Sequence, residues 1–92
     1  ITIFILGANA FSEAFKEVFN KDLYRYKRAI EKNPDNPGAY IKLGNSYLSS
    51  GKYKKAIEPL IIATKLQPTR TEAYYSLGKA YGARIKRGDG LL

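Results

Sequence analysis

Cysteine, histidine, methionine and tryptophan are all missing from this chain of 92 residues. Without cysteine there is no disulfide framework, no thiolate nucleophile and no thiolate metal site, while every compartment stays open. Without histidine the commonest general base and the commonest metal ligand are gone. The eight carboxylates are scattered and form no paired constellation, so no nucleophile–base pair is apparent. Gly44 precedes Gly51-Lys52 at the wrong spacing for a phosphate-binding loop, and Tyr53 stands where that loop needs Ser or Thr. These gaps argue against an enzyme, and no catalytic residue, metal site or cofactor is expected. The lack of methionine removes an initiating residue and points to a processed or trimmed piece of a longer chain.

Long apolar runs are missing as well. Ile1-Thr2-Ile3-Phe4-Ile5-Leu6 is the one strongly apolar stretch at an end, and polar residues intervene by Asn9 and Ser12. A spanning helix needs about 20 apolar residues. The run therefore packs on the domain or on another copy of it, or is the remnant of a membrane anchor or signal segment. A membrane contact is expected only in that second case. The compartment expected is cytoplasmic, with a membrane-tethered form as the alternative. Left exposed, such a β-prone run would be an association hazard.

Basic residues are plentiful. Lys and Arg number 16 against eight acids, a net charge of +8. Such an excess favours acidic partners, whether carboxylate-rich peptides, anionic lipid or nucleic acid. The cations are spread from Lys16 to Arg87 rather than clustered, so they also serve to keep outer faces solvated. Apolar content of 45% is ordinary for a small globular domain.

The most informative positive feature is a repeat. Ala39-Tyr40-Ile41-Lys42-Leu43-Gly44-Asn45-Ser46-Tyr47 returns 34 residues later as Ala73-Tyr74-Tyr75-Ser76-Leu77-Gly78-Lys79-Ala80-Tyr81. Phe19, Leu23, Tyr26, Ala29 and Pro34 stand in the same register to Tyr53, Ile57, Leu60, Ala63 and Pro68. That period marks a solenoid of helix–turn–helix units, each covering its neighbour's apolar face. The expected fold is all-α, an α–α superhelix of antiparallel helix pairs, either as one chain or as a helix-exchanged dimer.

Periodicity and punctuation divide the chain. Residues 1–7 read as an apolar tail and 8–36 as a long helix. That helix has apolar residues at steps of three and four from Phe11 to Ile30 and is halted by Asn33-Pro34-Asp35-Asn36-Pro37-Gly38. Asn20-Lys21-Asp22 offers a turn inside it, but no glycine is present and the apolar face stays in phase, so an unbroken helix is preferred. Residues 37–70 form a complete unit. Its two helices run from about Gly38 to Ser49 and from Tyr53 to Leu66, separated by a left-handed Gly51. Pro59 falls inside the second, predicting a bend with the ring facing outward. Residues 71–87 form a further helix capped by Thr69 or Thr71, and 88–92 a flexible end. Arg87-Gly88-Asp89 within that end is read as a chance tripeptide, and Lys52, Lys54 and Lys55 as a solvated corner.

The unit resembles the tetratricopeptide repeat. Its first helix, helix A, carries Tyr40, Leu43, Gly44 and Tyr47, and its second, helix B, carries Tyr53, Ala56, Leu60, Ala63 and the closing Pro68. The following helix repeats the first set as Tyr74, Leu77, Gly78 and Tyr81, and 19–36 reads as a preceding helix B. Asp22 departs from the pattern in an alanine slot, and no helix A signature aligns before Phe19. The resemblance implies close helix crossings at Gly44, Ala56 and Ala63. It also implies a concave groove along the A helices that holds an extended or helical protein segment. By position the groove residues are Ile41, Lys42, Asn45, Leu48 and Ser49 on one unit, and Glu72, Tyr75, Ser76, Lys79 and Ala83 on the next. Asn45 would satisfy a peptide amide, Lys42 and Lys79 would receive carboxylates, and Tyr75 would supply flat apolar area. Some members grip two carboxylates with a Lys/Asn clamp. Asn45 fits one slot of it, but Ile41 and Ser76 occupy others, so the clamp is not supported.

A B–A–B–A order leaves the last helix uncovered. Tyr74, Leu77, Tyr81 and Ile85 are expected to self-associate, with the long first helix exchanged between copies, or to meet flanking repeats. The function expected is a non-catalytic protein–protein interaction module, an adaptor or scaffold with a basic groove for an acidic segment. The alternative is a helical repeat that binds RNA or other single-stranded nucleic acid. It is less favoured because the tyrosines mostly occupy packing slots.

Overall fold

A computed structural model describes the backbone of residues 2–86 and the side chains of residues 16–86. The expected flexible end at 88–92, the Arg87-Gly88-Asp89 tripeptide, and the side chains of Ile1–Leu6, Phe11 and Phe15 lie outside the described residues. Among the described residues four α-helices follow one another: α1 (Thr2–Lys32), α2 (Pro37–Ser49), α3 (Tyr53–Leu66) and α4 (Thr71–Lys86). Among the described residues there is no strand, and no helix long and apolar enough to cross a membrane. Neighbours in sequence pack as neighbours in space, and α2 also lies against α4. This is the all-α superhelical arrangement that the period predicts.

Local chemistry sets the boundaries. The α1–α2 turn is held by Asn33, whose Oδ1 accepts from Asp35 N at 3.2 Å, and by the Tyr40 hydroxyl, which donates to Pro34 O at 2.9 Å. Asn36 caps α2 by accepting from Gly38 N at 3.0 Å, and Pro37 occupies the first turn, where its missing N–H is no loss. At the other end Gly51 adopts φ +76°. Lys52 N then reaches Tyr47 O at 2.9 Å and Gly51 N reaches Leu48 O at 3.1 Å, the paired bonds of a Schellman ending.

Three expectations are corrected. First, α1 starts at Thr2 rather than Ala8, so residues 2–7 belong to the helix and form no separate tail. Second, Pro59 is buried rather than turned outward. Ala56, Pro59, Leu60 and Ala63 fall at steps of three, one and three, which places all four on one helix face. The carbonyl of Lys55 that loses its donor belongs to an exposed residue, where water can satisfy it. Third, neither Thr69 nor Thr71 caps α4. Arg70 holds the cap position, its carbonyl accepting from Ala73 N at 3.2 Å, and its side chain has no oxygen to accept a second bond. The first helix runs unbroken through Asn20–Asp22, as the in-phase apolar face predicts, and its Phe19 meets Tyr47 edge to face with ring centroids 6.4 Å apart.

The core is small and rests on close helix approach. One cluster joins Ile41, Ala63 and Ala73, with Tyr40 against it. The other joins Ala56, Leu60 and Ala80, with Tyr47, Leu48, Ile57 and Leu77 around it. A Cβ placed on Gly44 would come within 2.5 Å of Leu60 Cγ, so only glycine lets the fully buried Leu60 seat there. Leu77, expected to await an outside partner, is already packed on this second cluster. Tyr74, Tyr81 and Ile85 remain 48%, 38% and 60% exposed.

Candidate functional site

Where α2 and α4 lie side by side, their C-terminal halves and the start of α3 enclose an open cleft of about 500 Å³. Its described lining is Leu48 and Ser49 from α2, Tyr53 from α3, and Lys79, Gly82, Ala83 and Lys86 from α4. Residues 79, 82, 83 and 86 share one helix face by their spacing of three, one and three. Lys79 and Lys86 stand seven residues apart, roughly 10 Å along the axis. No carboxylate is among the described lining residues, so the cleft presents two ammonium groups above an apolar floor of Leu48 and Ala83. The Ser49 hydroxyl donates to Asn45 O at 3.0 Å, which leaves its oxygen free to accept. Lys79 Nζ sits 4.8 Å from the centroid of the Tyr75 ring, a cation–π contact that restrains the lysine.

Four of the ten residues expected in the groove, Leu48, Ser49, Lys79 and Ala83, are brought together here. Two are corrected outright. Ile41 is 1% exposed and Ser76 2% exposed, so neither can meet a ligand. Ile41 packs against Ala63 and Ala73, because the flank of one A helix faces the next. Ser76 belongs to the Ala73–Ser76–Leu77–Ala80 stripe that turns α4 towards the rest of the array. Lys42, Asn45, Glu72 and Tyr75 lie outside the cleft lining; Glu72 instead pairs with Arg70 at 3.7 Å across an exposed surface.

Tyr53, Gly82 and Lys86 were missed. The repeat pattern assigns Tyr53 a packing role, and in the fold it is half-buried and lines the cleft as well. Gly82 and Lys86 continue the face of Lys79 and Ala83 by one turn, a helical step readable from the sequence. Among the described residues no three acidic side chains converge in a way that would hold a metal ion.

An array of antiparallel helix pairs with an open trough along its A helices is a helical-repeat scaffold. Residues 44–83 match the TPR repeat family and residues 26–58 match the tetratricopeptide repeat family. Residues 26–83 of this chain belong to the tetratricopeptide repeat family, whose repeats mediate protein–protein interaction and are non-catalytic. Over 57 residues the chain is 33% identical to Protein CTR9 homolog of Arabidopsis thaliana. That stretch is 62% of this chain and 5% of the length of that relative.

Proposed function

We propose that this chain is a non-catalytic binding module whose α2–α4 cleft takes an acidic segment of a partner protein. The observation that carries the reading is the pairing of Lys79 and Lys86 on one rim of a cleft floored by Leu48 and Ala83, with no carboxylate in its described lining. An extended or helical segment with acidic residues about two helical turns apart would meet both ammonium groups, and an apolar side chain between them would cover the floor. Ser49 Oγ can accept from a peptide amide, and Tyr53 supplies a rigid edge at little entropic cost. The net charge of +8 steers such a segment from a distance.

Calorimetric titration of the whole chain with a helical peptide bearing two aspartates seven residues apart, and a leucine between them on the same face, tests this reading. Reversing both lysines (K79E with K86E) is expected to weaken capture by roughly tenfold or more, and Lys42→Glu by much less. Capture that survives the double reversal unchanged would remove the cleft from consideration. A single-stranded oligouridylate that binds more tightly than the peptide, with steep loss on added salt, would move the assignment to nucleic acid.

A further inference from the structure

The outer face of α1 departs from the repeat in a patterned way. In the complete unit, α3 meets α2 along a seam that includes Pro59 and Ile62 of α3 and Tyr40, Leu43 and Tyr47 of α2, with Ala63 buried beside it. Thirty-four residues earlier those three α3 slots hold Arg25, Arg28 and Ala29. The small floor residue is kept, while both apolar neighbours have become guanidinium groups. Lys21, Tyr24 and Lys32 extend the same face, and with Arg25, Arg28 and Ala29 they line an open groove of about 860 Å³.

Charge and geometry on this face are specific enough to define an occupant. Lys21, Arg25, Arg28 and Lys32 follow at steps of four, three and four, so four cations run in one row along roughly 16 Å of helix. Among the described lining residues the one carboxylate is Glu17, which pairs with Lys21 at 3.7 Å. Arg28 pairs with Glu31 at 3.9 Å. Both pairs are largely solvent-exposed, and exposed pairs exchange partners at little cost. Arg25 and Lys32 meet no carboxylate among the described residues. Arg28 Cζ lies 6.0 Å from the Tyr24 ring centroid, which gives the row a flat, restrained centre.

We propose that the outer face of α1 is a second docking surface, which seats an acidic amphipathic helix of a partner protein over Ala29, alongside Arg25 and Arg28. A helix fits because this is the position that helix A holds against helix B in the complete unit, and Ala29 preserves the close approach. Carboxylates at matching steps of four, three and four would each reach one cation, with bidentate pairing at the two arginines. A second copy of this chain does not fit. Its net charge is +8, and its exposed α4 side chains Tyr74, Tyr81 and Ile85 would bury Arg25 and Arg28 without partners. A single strand or a bilayer would draw nothing from the alanine floor, and among the described lining residues Tyr24 is the one aromatic available for stacking.

The test uses the whole chain and a 20-residue helical peptide carrying four glutamates at those steps, with alanine placed opposite Ala29. Calorimetry at low salt is expected to show binding, with amide shifts over residues 21–32 that persist in the K79E/K86E variant, whose α2–α4 cleft no longer takes acidic segments. In that variant R25E with R28E should weaken binding by roughly tenfold or more, and the neutral R25Q with R28Q by an intermediate factor. The neutral pair serves if charge reversal disturbs the helix, which circular dichroism would reveal. The proposal is overturned if the arginine variants bind like wild type, or if a scrambled peptide of equal charge binds as tightly. It is equally overturned if only the K79E/K86E variant loses binding, which would place the peptide in the α2–α4 cleft. Tighter binding of oligouridylate or phosphatidylserine vesicles through Arg25 and Arg28 would assign the surface to those ligands instead.

Discussion

Helices α2 and α4 carry the same signature, Tyr-x-x-Leu-Gly-x-x-Tyr, and live in different surroundings. In α2 the glycine lies under Leu60, where a Cβ would sit 2.5 Å from the leucine Cγ. In α4 the matching Gly78 has nothing within 4 Å of where a Cβ would be. Tyr40 and Tyr47 are half-buried, one donating to Pro34 O and the other meeting Phe19, whereas Tyr74 and Tyr81 are exposed. The cause is one element: α3 covers that face of α2, and no described helix covers it on α4. A repeat signature therefore encodes a relation between helices, and its residues acquire their energetic meaning only when the covering helix is present.

The contrast can be broken most forcefully at Leu60. Leu60→Ala should lower unfolding free energy by about 2–5 kcal/mol in urea denaturation, since a fully buried side chain leaves a cavity over Gly44. Gly44→Ala should cost about 1–3 kcal/mol through overpacking. Combined with Leu60→Ala it should cost less than the sum, because the added methyl fills part of the space vacated. Strict additivity in that double-mutant cycle would show that the two residues do not touch.

Milder substitutions sharpen the same comparison. Arg70 occupies the slot that Asn36 fills one unit earlier, so Arg70→Asn should supply the missing cap and raise stability by about 1 kcal/mol. No gain in thermal midpoint would mean that the Arg70–Glu72 pair already compensates. At the small end, Gly78→Ala should stabilise by about 0.5–1 kcal/mol, since an exposed helix interior favours alanine over glycine. Opposite signs for the same change at Gly44 and Gly78 are the most direct readout of cover against no cover. If both substitutions destabilise alike, α4 is covered in solution.

Much of this architecture was legible in advance because its causes are local or periodic. Gly51 had to take the left-handed region where two helices turn, and Pro37 had to sit in a first turn. The family resemblance placed Gly44, Ala56 and Ala63 at close helix crossings, and the fold seats Leu60 against Gly44. The misreadings share one source, the assignment of faces across helices. Pro59 was given to solvent on the strength of its residue type, although its spacing from Ala56 and Ala63 placed it inside. Ile41 and Ser76 were given to the groove by family position, yet the flanks of adjacent A helices bury them. Tyr53 shows the converse error, a packing slot that also borders the cleft.

What the chain alone determined is the helical period, the turns and the small residues at the crossings, because steric and hydrogen-bonding rules for those act within a few residues or repeat at a fixed interval. Tertiary structure alone decided which flank of each helix meets a neighbour and which meets water. That choice sets the Lys79–Lys86 cleft, the buried Ile41 and the bare face of α4, and it depends on which helices stand beside one another rather than on any residue by itself.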